Sequence, residues 1–205
     1  MEVATAGVAV KRSLSGERAQ RIIEAMRDSV AEVGITGSTF ERVAARADVS
    51  RGLLHYYFGT KERLLVEVIR RDTEIRVINL REALATAASV DELILAFIDT
   101  YRRTIEQERG YVYMVSELFV AARNSEELSR ELGDLYARSR TELAEVLREK
   151  ERDGVVTLRF GAEAVLSYLL AVGDGAVIQQ ITDPTFDSLG TAEASYAVAR
   201  YLLSD

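Results

Sequence analysis

An all-α fold is expected from three observations. Pro184 is the only proline in the 205 residues. No run of alternating β-branched residues occurs, so the period-two signature of strands is missing. Apolar residues recur instead at helical spacing along the chain. The pattern divides into about nine helices, a three-helix N-terminal unit followed by a larger helical body.

The elements follow in order. Ala19, Ile22, Ile23, Met26, Val30 and Val33 share one face of a first helix. Gly34 suits its C-terminal cap, because glycine enters left-handed backbone at little cost. Ser38-Thr39-Phe40-Glu41 reads as a capping box opening a second helix. Asp48 sits at the following turn, where Asp tolerates left-handed geometry better than most residues. Ser50 is a natural N-cap for a third helix. Leu64, Leu65, Val68, Ile69, Ile75 and Ile78 mark a long fourth helix. Ser89-Val90-Asp91-Glu92 is a second capping box, and Leu93 to Ile105 form the stripe of a fifth helix ending at Gly110. A sixth helix, about residues 111–122, is apolar on several sides and is expected to be buried. Asn124-Ser125 caps a seventh, which ends near Gly154. An eighth runs from about Gly161 to Ile181, Asp183-Pro184 breaks the chain, and a ninth fills about residues 187–203.

Composition narrows the function classes. The chain has no Cys and one His, His55. Disulfides and thiolate metal sites are therefore excluded, and no metal or cofactor is expected. No apolar run approaches the roughly 20 residues needed to span a membrane, and the first residues lack the pattern of a secretory signal. A cytoplasmic location without membrane contact is the expectation. The net charge is −7. Residues 1–71 nevertheless hold 12 Lys and Arg against 9 Asp and Glu, a net +3, and the remainder carries −10. A basic head on an acidic body can meet phosphates locally while the body repels them.

The stretch 38–64 holds the most specific pattern. Val43, Ala44 and Ala47 line one face of the second helix, and Val49, Leu54 and Phe58 oppose them. Arg51, Gly52, Leu53, His55, Tyr56 and Tyr57 then remain for solvent or for DNA. This is a helix-turn-helix, which places the N-terminal end of its second helix in the major groove. Arg51 can pair with guanine O6 and N7, and Leu53 can touch a thymine methyl. Gly52 lets the backbones approach. Tyr56, Tyr57, Lys61 and Thr39 can bind phosphate oxygens and fix register. A core role for all four residues His55 to Phe58 is excluded, because consecutive helical positions cannot share one face.

These residues resemble the TetR family of bacterial transcriptional regulators. The likeness rests on Thr39, Val43-Ala44, Ala47, Val49-Ser50, Gly52, Leu54, Tyr56-Tyr57-Phe58, Lys61 and Leu64. It implies a nine-helix fold, a homodimer, and a small-molecule effector that releases double-stranded DNA. By position, the resemblance makes Thr39, Ser50, Arg51, Gly52, Leu53, His55, Tyr56, Tyr57 and Lys61 the DNA-contacting candidates. The chain departs from the family pattern at Asp48, where Gly is usual, at His55, where Tyr is common, and at Tyr57, where His is common. The segment from Asp174 to Pro184 is similar to the branch containing choline-responsive repressors.

The resulting division is an arm over 1–15, a helix-turn-helix domain over 16–62, and a ligand-binding and dimerisation domain over 63–205. A pocket is expected between the fourth and seventh helices. Phe97, Tyr101, Tyr111, Tyr113, Met114, Glu117 and Phe119 are its candidates, with Arg123 as an alternative mate for Glu117. Val165, Leu169, Val172, Ala176, Tyr196, Ala199 and Leu203 are the candidates for a dimer contact. Two other classes remain open. A helical-bundle enzyme lacks a nucleophile–base pair in this sequence. An interaction module without DNA binding would have no use for Arg51, Tyr56, Tyr57 and Lys61.

Overall fold

The computed structural model describes residues 17–107 and 109–204, so the arm expected over 1–15 lies outside the described residues. Among those residues there are nine α-helices and no strand: α1 (Glu17–Gly37), α2 (Phe40–Ala47), α3 (Arg51–Tyr57), α4 (Lys61–Thr86), α5 (Val90–Gln107), α6 (Arg109–Ala122), α7 (Glu126–Arg152), α8 (Ala162–Thr182) and α9 (Ser188–Leu203).

The helix boundaries follow from local chemistry. Thr39, Ser50, Thr60 and Ser125 each accept a hydrogen bond from the backbone amide three residues on, which satisfies an orphan donor of the first turn. Ser89 does the same for Glu92, and the Glu92 carboxylate reaches back to the Ala88 amide. Asp48 adopts left-handed backbone at φ 53°, ψ 53° and closes α2. Two expectations need correction. Thr39, not Ser38, caps α2; Ser38 is buried, accepting from the Ser29 hydroxyl and donating to the Gly34 carbonyl. Gly34 has positive φ as expected, but with ψ 173° it kinks α1 and a further turn follows.

Two apolar clusters hold the molecule together. The first joins Ile22, Ile23 and Met26 of α1 to Val43, Ala44, Leu54 and Phe58, and extends through Leu64, Leu65, Val68 and Ile69 of α4. It also takes in Met114 and Leu118 of α6 and Leu128, Leu132 and Leu135 of α7. Apolar packing therefore runs across residue 62 without a break. The second cluster fills the far end of the body, between the end of α4, α5, α7, α8 and α9. There the Lys150 ammonium donates to the Ala85 and Ala87 carbonyls, both at 2.6 Å, at the C-terminal end of α4. A cation is favoured there by the helix dipole.

α8 departs from the expectation that no segment has the character of a membrane span. Its 21 residues are long and apolar enough to cross one by length and composition. In this fold it packs against α5, α7 and α9 instead.

Polar ties join head to body. Arg27 of α1 makes a two-pronged ion pair with Asp72 of α4. Arg71 donates to the Gln20 side chain at 2.5 Å. Burial raises the Asp72 carboxyl above its usual range, and the Arg27 hydrogen bond only partly opposes this. Because that folded-state value lies above the unfolded one, the charged carboxylate costs stability above it, and acid relieves the cost. Arg27→Met removes the opposing cation. It is expected to cost about 2 kcal/mol near neutral pH, below the range for fully buried pairs because Arg27 is partly exposed. The cost should shrink as the buffer is acidified through the Asp72 titration, as urea unfolding at several pH values will measure.

Candidate functional site

α3 has seven residues and cannot persist alone. It is held by Leu54, fully buried, and by Phe58 just beyond its end. That anchoring turns Arg51, Gly52, His55 and Tyr56 outward, all exposed. The Arg51 guanidinium has no ion-pair or hydrogen-bond partner among the described residues. At Gly52 an added Cβ would meet only the Ser50 hydroxyl at 3.9 Å, so the outer face is open. Leu53 and Tyr57 are half-buried against the head core. The Tyr56 and Tyr57 rings meet edge-on at 5.4 Å. His55 packs edge-on against Phe40 at 4.9 Å and its Nδ1 lies 3.2 Å from the Gly59 carbonyl.

The remaining head candidates sit at helix starts around this face. Thr39 and Ser50 spend their hydroxyls as caps but stay exposed. Lys61 is half-buried, and its ammonium donates to the Ile35 carbonyl at 3.1 Å. Arg46 of α2, by contrast, is committed to Glu32 at 2.6 and 2.8 Å. Arg46 thus holds α2 to α1, while the exposed Arg51 carries its charge on the outer face of α3.

Two cavities in the body bear on the pocket candidates. One, of about 180 Å³, lies among α4 to α8 and is lined by Arg76, Thr104, Tyr111, Phe119, Tyr136 and Asp174, with Tyr101, further Ser and Thr hydroxyls and apolar residues completing its wall. The Arg76 guanidinium lies over the Tyr111 ring, 3.7 Å from its centre, and donates to the Thr104 hydroxyl at 2.7 Å. Burial lowers its affinity for the proton. Burial likewise raises the Tyr101, Tyr111 and Tyr136 hydroxyls, which therefore stay neutral donors at physiological pH. Asp174 stands at the solvent-accessible mouth, and surrounding protein still raises its carboxyl above the usual range, opposed by Arg76. The other cavity, of about 410 Å³, lies between α5, α8 and α9 and is mainly apolar.

Of the pocket candidates, Tyr101, Tyr111 and Phe119 line the smaller cavity, and Phe97 and Tyr101 the larger. Three expectations are overturned. Met114 is fully buried in the head-side cluster. Tyr113 is on the outside, 48% exposed. Glu117 faces α1, where its carboxylate accepts the Ile35 amide at 2.5 Å beside the Gly34 kink; Arg123 is not its mate. Sequence reasoning missed Arg76, Tyr136 and Asp174. α8 also walls both cavities, beyond the expected fourth to seventh helices.

The dimer candidates are corrected in part. Val165, Ala199 and Leu203 are buried in the chain's own core. Leu169, Val172 and Ala176 line the larger cavity, and the Tyr196 hydroxyl donates to Asp91 at 2.6 Å. The exposed large apolar residues of these helices are Tyr168, Ile178, Leu189, Val198 and Tyr201. No group of three or more His, Cys, Asp or Glu able to hold a metal lies among the described residues.

A short anchored helix with an open N-terminal face, on an all-helical body with a central cavity, defines the class of helix-turn-helix regulators. Residues 22–68 match the model of the bacterial regulatory proteins of the tetR family, and residues 90–204 match that of the BetI-type transcriptional repressor, C-terminal. The chain belongs to the TetR family, with a BetI-type C-terminal domain. It is 37% identical over 54 residues to the HTH-type transcriptional regulator BetI 1 of Chromohalobacter salexigens and 40% identical over 53 to BetI of Burkholderia thailandensis. Each match covers 26% of this chain, and the chain spans only 27% of the length of these curated relatives. Among solved structures it is similar to Salmonella enterica GusR, with a TM-score of 0.75, 21% identity, and coverage of 93% of this chain and 99% of that one. It is similar also to the transcriptional regulator FadR from Bacillus subtilis in complex with stearoyl-CoA, with a TM-score of 0.71, 16% identity, and coverage of 88% and 96%. A protein of Saccharomonospora viridis, described as a transcriptional regulator and in complex with choline, has a TM-score of 0.73, 20% identity, and coverage of 91% and 97%. At these identities the three show the fold alone.

Proposed function

We propose that this chain is a ligand-responsive repressor that acts in the cytoplasm, binds a palindromic operator as a homodimer, and is released by a small molecule. The observation that carries the reading is the outer face of α3, where Arg51 is exposed and has no partner within the described fold. In this reading Arg51 and Leu53 read bases. Thr39, Ser50, Gly52, His55, Tyr56, Tyr57 and Lys61 hold the phosphate backbone at amides, hydroxyls and the ammonium. Exposed apolar residues of α8 and α9 meet their counterparts in a second copy across a two-fold axis. That symmetry sets the two α3 helices at matching groove positions.

Effector control runs through α6. Tyr111, Val115 and Phe119 line the smaller cavity, while Met114 and Leu118 of the same helix are buried in the head-side cluster. Glu117 clasps the Ile35 amide and Lys61 of α4 holds the Ile35 carbonyl. A ligand that shifts α6 therefore moves the Gly34–Ile35 junction and with it the angle of the head. The response is limited by the ligand's differential affinity for the two head spacings.

Selection of bound DNA from a random pool tests the first part. It is expected to return a two-fold repeated site whose affinity falls steeply with salt. A site without repeat symmetry counts against the dimer, and no selected site at all counts against the repressor. On the selected operator, Arg51→Ala is expected to cost about 1–3 kcal/mol and to relax base choice at one position of each half-site. Glu117→Ala tests the coupling. It is expected to keep operator binding and to weaken release by a screened effector several-fold, as fluorescence anisotropy of labelled operator will record.

A further inference from the structure

We propose that the cavity between α5, α8 and α9 is a second ligand site, one that takes an uncharged amphiphile with an apolar body and a neutral, oxygen-bearing head. The proposal goes beyond the effector reading, whose cavity is the smaller one, and stands or falls without it.

The size and the walls of the space carry the argument. Packed interiors leave few gaps larger than a water molecule. An apolar hole of roughly 150 Å³ already stays dry and takes up benzene. This one holds about 410 Å³. Ile94, Phe97 and Ala199, all buried, line it together with Leu169 and Val172. Such walls suit an apolar body and offer water few partners. Tyr101, which lines both cavities, stands between them. Its hydroxyl donates to the Leu170 carbonyl at 3.1 Å, and its ring lies so close to Gly173 that a Cβ there would collide with it.

The cavity is graded along its length. α9 runs antiparallel to α5, because Asp91 in the first turn of α5 meets Tyr196 and Arg200 near the end of α9. Gln180 near the end of α8 and Ser188 and Thr191 at the start of α9 therefore gather at the end away from Ile94 and Ala199. These three side chains are neutral, and none makes a hydrogen bond among the described residues. The charged residues in the lining are Arg102 and Glu106. Arg102 donates to Asp99 at 2.6 Å and to Glu106 at 3.3 Å, and Arg103 pairs with Asp99 at 2.5 Å, so two cations meet two carboxylates. Asp187, beside Ser188, turns its carboxylate to the Gly190 amide at 2.8 Å. A carboxylate head would meet the Glu106 charge, and a cationic head would compete with Arg102 for it. A hydroxyl, carbonyl or ester oxygen finds neutral donors at this end and disturbs no ion pair.

Calorimetry on the purified protein with straight-chain alcohols from butanol to octanol tests this. Affinity is expected to rise about three- to fourfold per methylene until the chain fills the space. Octanol is expected to bind several-fold tighter than octanoate or octylammonium, and to raise the melting temperature. Ala176→Phe, which adds a ring to the cavity from α8, should abolish octanol binding. Ser139→Phe, at a residue that lines only the smaller cavity, should leave it unchanged. Thr191→Val should weaken the whole series by a similar factor and keep its slope. Ala192→Phe repeats the test from α9 should Ala176→Phe fail to fold, and the wild-type series decides if neither folds. A flat series, either ion binding as tightly as the alcohol, or no binding at all overturns the proposal. Loss of octanol binding in Ser139→Phe instead of Ala176→Phe also overturns it, by moving the alcohol to the smaller cavity. Octanol affinity that falls as protein concentration is raised through dimer formation does so too, because a second copy then occupies the space. Operator release, assayed in parallel, separates the two readings. Release by a compound whose binding is lost in Ser139→Phe keeps effector control whatever the alcohols do.

Discussion

The exposed outer face of α3 depends on a length constraint. Helices of eight and seven residues do not form in water by themselves, so α2 and α3 exist only because their inner sides are buried. Ala44 and Ala47 keep the two helices close, and Leu54 and Phe58 lock the second against α1 and α4. Burial of those residues leaves no freedom in which residues face outward. The exposure of Arg51 is thus the other side of the burial of Leu54. The same cluster reaches Met114, Leu118 and Leu128, so the rigidity of the head is borrowed from the body. A change in how α6 sits therefore reaches α3 through packed side chains.

The charged ties across that boundary do a different job. Burial outweighs the Arg27 hydrogen bond in setting the Asp72 carboxyl, so the pair adds little net stability. Its two-pronged geometry fixes the register of α1 on α4. Glu117 and Lys61 do the same at the Ile35 peptide, one holding its amide and the other its carbonyl. The kink at Gly34 makes that peptide available to both, because its groups are turned out of the α1 ladder.

The head was legible in the sequence because its determinants are local. The cap at Ser50, the left-handed Asp48 and the small residues of α2 all act within a few positions of themselves, whereas the cap of α2 fell one residue later than its capping-box pattern, at Thr39. The body was legible only as a set of helices. Met114 and Glu117 are pocket candidates in the sequence as polar-tipped side chains on an apolar helix, and periodicity cannot say which side of α6 meets the head and which the cavity. Arg76, Tyr136 and Asp174 look like solvent-facing residues of long helices, and only the bundle's packing turns them onto one cavity. α8 misled in the same way. Being apolar nearly all round, it hides its outward stripe, so Val165 was placed at a surface when it belongs to the core.

Asp48 has a consequence for how this protein can change. It is the one non-glycine residue with positive φ among those described. Left-handed backbone costs a side-chain-bearing residue on the order of 1 kcal/mol that glycine would not incur. The head is therefore built below its own ceiling, with a single-codon reserve at position 48. A lineage that drew on it could tolerate costlier substitutions on the outer side of α3, and so explore new operator sequences without losing the fold that presents them.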